Sequence, residues 1–152
     1  MTWNDLANGL PPSLVWGLIP RFVGFLYIVA FLALAPQVSL TLGTRGIIPL
    51  AVKLERIRGD FPGVRRFFDY PSVMWLSASD TMLHAWPIIG VACGALAIYG
   101  GPLGFCGLLL GWMIWVSFEP AGLIFPWDTM LQEVGFLVLF LPIASALPDL
   151  HS

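Results

Sequence analysis

Residues 125–142 read FPWDTMLQEVGFLVLFLP, a stretch apolar enough to enter a bilayer yet carrying two acids and a glutamine. A charged side chain in hydrocarbon is costly, so Asp128 and Glu133 need partners or water. The pattern predicts a membrane helix over about 128–147, with Asp128 as its N-cap behind Pro126 and Trp127. At the helical rise, Glu133 lies roughly 7 Å deeper than Asp128 and about 140° around the axis, so the two acids do not share a face. Gln132, four residues after Asp128, does share its face.

The rest of the chain fits the same environment. Of 152 residues, 58% are hydrophobic and only 11% charged, and the mean hydropathy is +0.85. So few charges cannot solvate a globular surface, and most of the surface must face lipid or protein. The expected fold is an all-α integral membrane domain over 18–147. Its spans fall at about 19–35, 82–99, 103–118 and 128–147, with a surface tail at 1–17 and a second tail at 148–152. Pro20 suits the first turn of span one and Pro36 closes it. Arg21 can snorkel to the headgroups. The first 20 residues lack a basic n-region and an A-x-A cleavage site, so the first apolar run is read as a retained helix. Gly100, Gly101 and Pro102 leave almost no connection between spans two and three, which must form a tight hairpin. Gly90 and Gly94 on one helix, and Gly107 and Gly111 on the next, favour close packing.

Between spans one and two lies a loop of about 45 residues holding six of the seven basic residues: Arg45, Lys53, Arg56, Arg58, Arg65 and Arg66. Inside it, a short amphipathic helix starts at Pro49, with Leu50, Leu54 and Ile57 on one stripe and Lys53 and Arg56 pointing away. It either lies in the membrane interface or packs on the protein's own end. Residues 61–71, FPGVRRFFDYP, read as irregular, and PSVMWLSASDTML (71–83) as helix leading into span two. Arg65, Arg66, Phe67, Phe68 and Tyr70 form a candidate partner-docking surface, whose plainer role is attraction to anionic headgroups. By the positive-inside rule the basic loop lies in the cytoplasm and both termini outside. Nothing resembles a basic, aromatic-studded nucleic-acid surface.

With four spans, one end of the bundle collects Gln37, Arg45, Asp80, His84, Glu119, Asp128, Gln132 and Glu133. Trp75, Trp86, Trp115 and Trp127 fall at a similar level, as an interfacial belt would. Glu133 is expected to face the interior and pair with Arg45, or failing that with His84. His84 is the one histidine within a span. Its expected role is hydrogen-bonded packing, with haem or chlorin ligation as the alternative. Cys93 and Cys106 read as two small buried hydrophobes rather than a disulfide or metal pair. No HExxH, GxSxG or phosphate-binding glycine loop is present. No cofactor, metal site or catalytic set is expected.

The stretch FPWDTMLQEVGFLVLFLP resembles the signature F-x-W-D-x-L-L-x-E-x-G-F-L of the lipase maturation factor family, through Trp127, Asp128, Leu131, Glu133, Gly135, Phe136 and Leu137. PRFVGFLYIVAFLALAPQVSLTLGTRGIIP (20–49) resembles that family's first span and following loop, with Gln37, Gly43, Gly46 and Pro49 in matching places. The resemblance covers about Arg21 to Pro142. It implies a multi-pass protein whose longer relatives carry a large non-membrane C-terminal part, associated in eukaryotic members with lipase clients in the endoplasmic reticulum. This sequence stops at Ser152, so the resemblance implies the membrane scaffold without the client-handling part.

The expected function is therefore a non-enzymatic membrane helper, an accessory or assembly subunit that docks to a larger membrane complex. Its partners would be membrane lipid and another integral membrane protein, in a bacterial inner membrane in preference to the endoplasmic reticulum. Two alternatives stand beside it: a membrane enzyme or transporter using Glu133, Asp128 and His84 for proton or lipid chemistry, and a lipase-maturation-type chaperone fragment.

Overall fold

The computed structural model describes residues 12–61, 63–69, 72–76, 79–119, 122 and 128–141. The described part is helical: α1 (Pro12–Leu42), α2 (Leu50–Asp60), α3 (Arg65–Asp69), a 3-10 turn at Val73–Trp75, α4 (Asp80–Tyr99), α5 (Gly101–Phe118) and α6 (Thr129–Val138). Among the described residues three stretches are long and apolar enough to cross a membrane: Trp16–Val38, Asp80–Tyr99 and Gly101–Phe118. α6 is apolar but has only 10 residues, and whatever the chain does over 142–147 lies outside the described residues. The outward sides of the three long helices carry exposed Phe22, Phe25, Leu32, Ile88, Leu96, Leu103 and Leu110, as helices in lipid do.

α1 overruns the expected 19–35 span at both ends. Pro12 opens it, where a missing N–H costs nothing, and the helix then passes through Pro20 and Pro36. A proline removes its own backbone bond and crowds the preceding turn. Next to Pro36, the Gln37 side-chain amide donates to the Ala33 carbonyl at 3.0 Å, supplying a bond within that turn. Inside a bilayer the unwound alternative would expose backbone to hydrocarbon, so an interrupted helix is favoured over a broken one.

The α4–α5 hairpin turns on Gly100 (φ 88°) and Gly101 (φ 63°), a left-handed geometry that suits glycine. Arg21 lies against this turn and donates to the Gly17 carbonyl at 2.6 Å. The glycines on α4 and α5 do meet close neighbours, but not all across the hairpin. Gly94 meets α1, where a Cβ would sit 2.6 Å from the Gly24 carbonyl oxygen, and Gly90 faces the Phe31 ring. It is Gly107 of α5 that packs on α4, at the Cys93 carbonyl.

The core runs along these contacts. Tyr27, Phe31, Val38, Leu83, Leu108 and Phe118 are fully or almost fully buried. Trp115, expected in an interfacial belt, is also buried, edge-to-face on Phe31 with centroids 5.4 Å apart. Of the two cysteines, Cys93 is buried and Cys106 exposed. Span α5 carries Cys106 on its outer side, so only one of the pair is a core residue.

The described part of the basic loop holds more helix than its proline and glycine content suggested. Pro49 caps α2, with Leu50 buried and Leu54 packed on the core, so the stripe sits on the protein's own end. Arg56 and Arg58 are exposed. Residues 65–69, expected to be irregular, form α3, and Phe67 stacks edge-on against Trp75 at 5.8 Å. Before α4, Ser72 and Val73 bond Ser117 at the end of α5, through Ser72 Oγ to the carbonyl and Ser117 Oγ from the Val73 amide.

Candidate functional site

The polar end forms where α1 and α5 finish and α4 and α6 begin, as the order of spans requires. The residues expected there do not form one cluster. Six of the eight divide between two clefts, and Gln37 and Asp128 line neither.

The first cleft, about 440 Å³, is lined by Gly43, Thr44, Arg45, Asp80, Leu83 and His84. Ser79 caps α4 by accepting from the Met82 amide, which sets Asp80 in the first turn. Asp80 then accepts two bonds from Thr44, one from the amide at 2.9 Å and one from the hydroxyl at 2.7 Å. Both carboxylate oxygens are thus engaged by the loop that follows α1. Arg45 and His84 are exposed on the same wall. Gln37 is exposed one helical stretch earlier and donates to the Ala33 carbonyl of α1.

The second cleft, about 420 Å³, is lined by Trp112, Glu119, Thr129, Gln132, Glu133 and Phe136. Trp112 Nε1 donates to the Gln132 carbonyl at 2.9 Å, and Gln132 Nε2 donates to Glu119 Oε2 at 3.1 Å. These two bonds fasten the start of α6 to the end of α5. Glu133 is exposed in this cleft, whereas Arg45 and His84 line the other, so the expected Arg45–Glu133 pair is not formed. The helical rotation that puts Gly135 and Val138 into the core carries Glu133 to the open side. Asp128 occupies the N-cap of α6, but its side chain makes no cap hydrogen bond.

A third cleft, about 400 Å³ and largely apolar, lies beside the loop. Phe67, Val73, Trp75, Leu76, Trp112 and Met113 form most of its wall. Leu76 in this wall is 80% exposed, and Phe68, next in sequence to Phe67, is 81% exposed. The side chains of Arg65 and Arg66, and all of Tyr70, lie outside the described residues. Among the described residues no three His, Cys, Asp or Glu side chains are grouped to hold a metal ion.

Thr44 and Trp112 organise the two polar clefts, and neither was singled out from the sequence. Thr44 stands 36 residues from Asp80, and no local pattern signals such a contact. Trp112 lies inside an apolar span where an indole N–H reads as ordinary packing.

The profile of a family described as the lipase maturation factor transmembrane domain matches residues 15–151. Lipase maturation factor 1 of Bos taurus is 31% identical over 131 residues, covering 80% of this chain and 23% of that protein. The Mus musculus protein of the same name is 28% identical over 130 residues, with the same coverage. Lipase maturation factor 2 of Xenopus tropicalis is 34% identical over 145 residues, 86% of this chain and 19% of that one. The chain thus spans about a fifth to a quarter of the length of these curated relatives. No solved structure matches it. These relatives are vertebrate proteins, which gives no support to a bacterial inner membrane.

Proposed function

The chain belongs to the lipase maturation factor family, and from that premise we propose that it is a non-enzymatic membrane helper in the maturation of a lipase-type client. Within that role it docks another integral membrane protein through the loop end of the bundle. The observation that carries the docking reading is the apolar cleft between α3, the 3-10 turn and the end of α5. Leu76 in its wall, and Phe68 next to Phe67 on α3, stand almost fully exposed, and burying each would contribute roughly 1.5–3 kcal/mol. Exposed Arg56 and Arg58 on the neighbouring α2 favour a partner surface bearing acids around an apolar anchor.

The paired substitution Phe68→Ser and Leu76→Ser tests this. Neither residue belongs to the core, so the spans insert normally while stoichiometric co-purification with the partner from native membranes falls sharply. Retention of the complex at wild-type level would remove this surface from consideration. The enzyme or transporter alternative draws less support, since His84 and Glu133 line different clefts.

The orientation belongs to the same proposal: the basic loop faces the cytoplasm. A cysteine placed at the exposed Gly59 then reacts with an impermeant thiol reagent only when the cytoplasmic face is accessible. Labelling from the opposite face of sealed membranes would reverse the assignment.

A further inference from the structure

The cleft at Arg45 is built by a folded segment rather than by side chains that happen to meet. After α1, the Gly46 amide donates to the Gly43 carbonyl and the Ile48 amide to the Thr41 carbonyl, both at 2.8 Å. Gly46 lies so close to Thr41 that a Cβ there would stand 2.5 Å from its carbonyl oxygen. The two Thr44–Asp80 bonds then tie this segment to the first turn of α4. The frame holds a guanidinium, a carboxylate and an imidazole around one opening, with buried Leu83 behind them. Apolar side chains flank it along the chain. Ile47 is 84% exposed, and Leu40, Ile48 and Met82 are exposed as well.

This combination lies where α1 leaves the membrane and α4 enters it. Exposed Leu, Ile and Met side chains belong with acyl chains, and the charged wall belongs with headgroups. We infer that the cleft between Arg45, Asp80 and His84 binds the zwitterionic headgroup of a phosphatidylethanolamine-type lipid, its phosphate on Arg45 and His84 and its ammonium on Asp80. Arginine presents a planar fork of N–H donors that matches phosphate oxygens two at a time. A carboxylate has about four acceptor positions, of which Thr44 takes two, so Asp80 keeps capacity for an ammonium. A purely anionic headgroup would meet Asp80 as a like charge. A quaternary choline ammonium has no N–H to give it. This site is separate from the apolar docking cleft, and the inference does not rest on the helper reading.

The test uses the full chain, purified in mild detergent and equilibrated with vesicle lipid containing equal phosphatidylethanolamine, phosphatidylcholine and phosphatidylglycerol. Retained lipid is counted by native mass spectrometry. Phosphatidylethanolamine is expected to be enriched about tenfold over each of the others, the factor that one good charge-assisted contact confers. Arg45→Gln abolishes that enrichment, while Lys53→Gln, a basic residue of α2 that lines none of the three clefts, leaves it unchanged. Soluble glycerophosphoethanolamine, which has the headgroup without acyl chains, does not displace the lipid at equal concentration. The inference falls if wild type retains phosphatidylglycerol as well as phosphatidylethanolamine, or if Arg45→Gln keeps the enrichment. Displacement by the soluble headgroup would make the ligand a free phosphate ester and overturn the lipid assignment. The lipid comparison on wild type decides the matter even if a variant fails to fold.

Discussion

Gly94→Ala is expected to destabilise the bundle by roughly 1–3 kcal/mol, and Gly94→Leu by more. The added Cβ would stand 2.6 Å from the Gly24 carbonyl oxygen and 2.8 Å from Ile28 Cγ1. A backbone oxygen inside a membrane helix cannot turn aside, so α1 and α4 must separate. Helices in lipid have no hydrophobic force pressing them together, and dispersion across a close crossing is most of what holds them. Separation therefore forfeits the contact that dominates this fold. Ala92→Leu is the control: it lies two residues away on the exposed side of α4 and should change little. Thermal unfolding of the purified chain in detergent separates the cases. Equal midpoints for Gly94→Leu and wild type would show that the two helices do not meet there.

The three long helices were legible because length and hydropathy are local properties, and the Gly100–Gly101 turn because so short a link allows only a hairpin. The limits of α1 were not. A proline at 36 ordinarily closes a helix, and no local signal in the sequence says that this one continues to Leu42. The glycine spacing at 90 and 94 correctly marked a packing face. Spacing alone names no partner, and α1 proved to be the neighbour rather than α5. α3 was missed for a related reason. Gly63 precedes it with φ 85°, and its five residues gain support from Phe67 against Trp75 rather than from helix propensity.

Counting spans assigned the polar residues to one end of the bundle. It gave no rotation about each axis, and rotation is what separates Arg45 from Glu133. Asp80, Arg45 and His84 meet because Thr44 draws a loop back onto α4, while Glu119, Gln132 and Glu133 meet because Trp112 holds α6 to α5. The signature residues divide in the same way. Gly43 and Gly46 shape the first cleft, and Glu133, Gly135 and Phe136 belong to the helix that forms the second. The two resembling stretches of sequence thus correspond to two separate structural tasks.

Tyr27 offers the clearest test of how α6 is seated. Its hydroxyl is fully buried, has no hydrogen-bond partner among the described residues, and lies directly against Gly135. A buried hydroxyl without a partner carries a desolvation cost, so Tyr27→Phe is expected to be neutral or slightly stabilising. Gly135→Ala is expected to be severe, since its Cβ would fall on that hydroxyl and also stand 3.2 Å from Trp112 Cδ1. The helix must then lift, which breaks the Trp112–Gln132 bond as well. A loss of roughly 2–3 kcal/mol is appropriate for an overpacked core site. The combination of Tyr27→Phe with Gly135→Ala should recover much of that loss, because the phenylalanine ring lacks the obstructing oxygen. Recovery stays partial, since the Trp112 contact remains. A coupling of about 1 kcal/mol or more between the two positions is within the range for residues in contact. Thermal unfolding of the four proteins in detergent measures it. Additive losses, with no recovery in the double variant, would mean that Gly135 does not rest on Tyr27 and that α6 is seated by another part of the core.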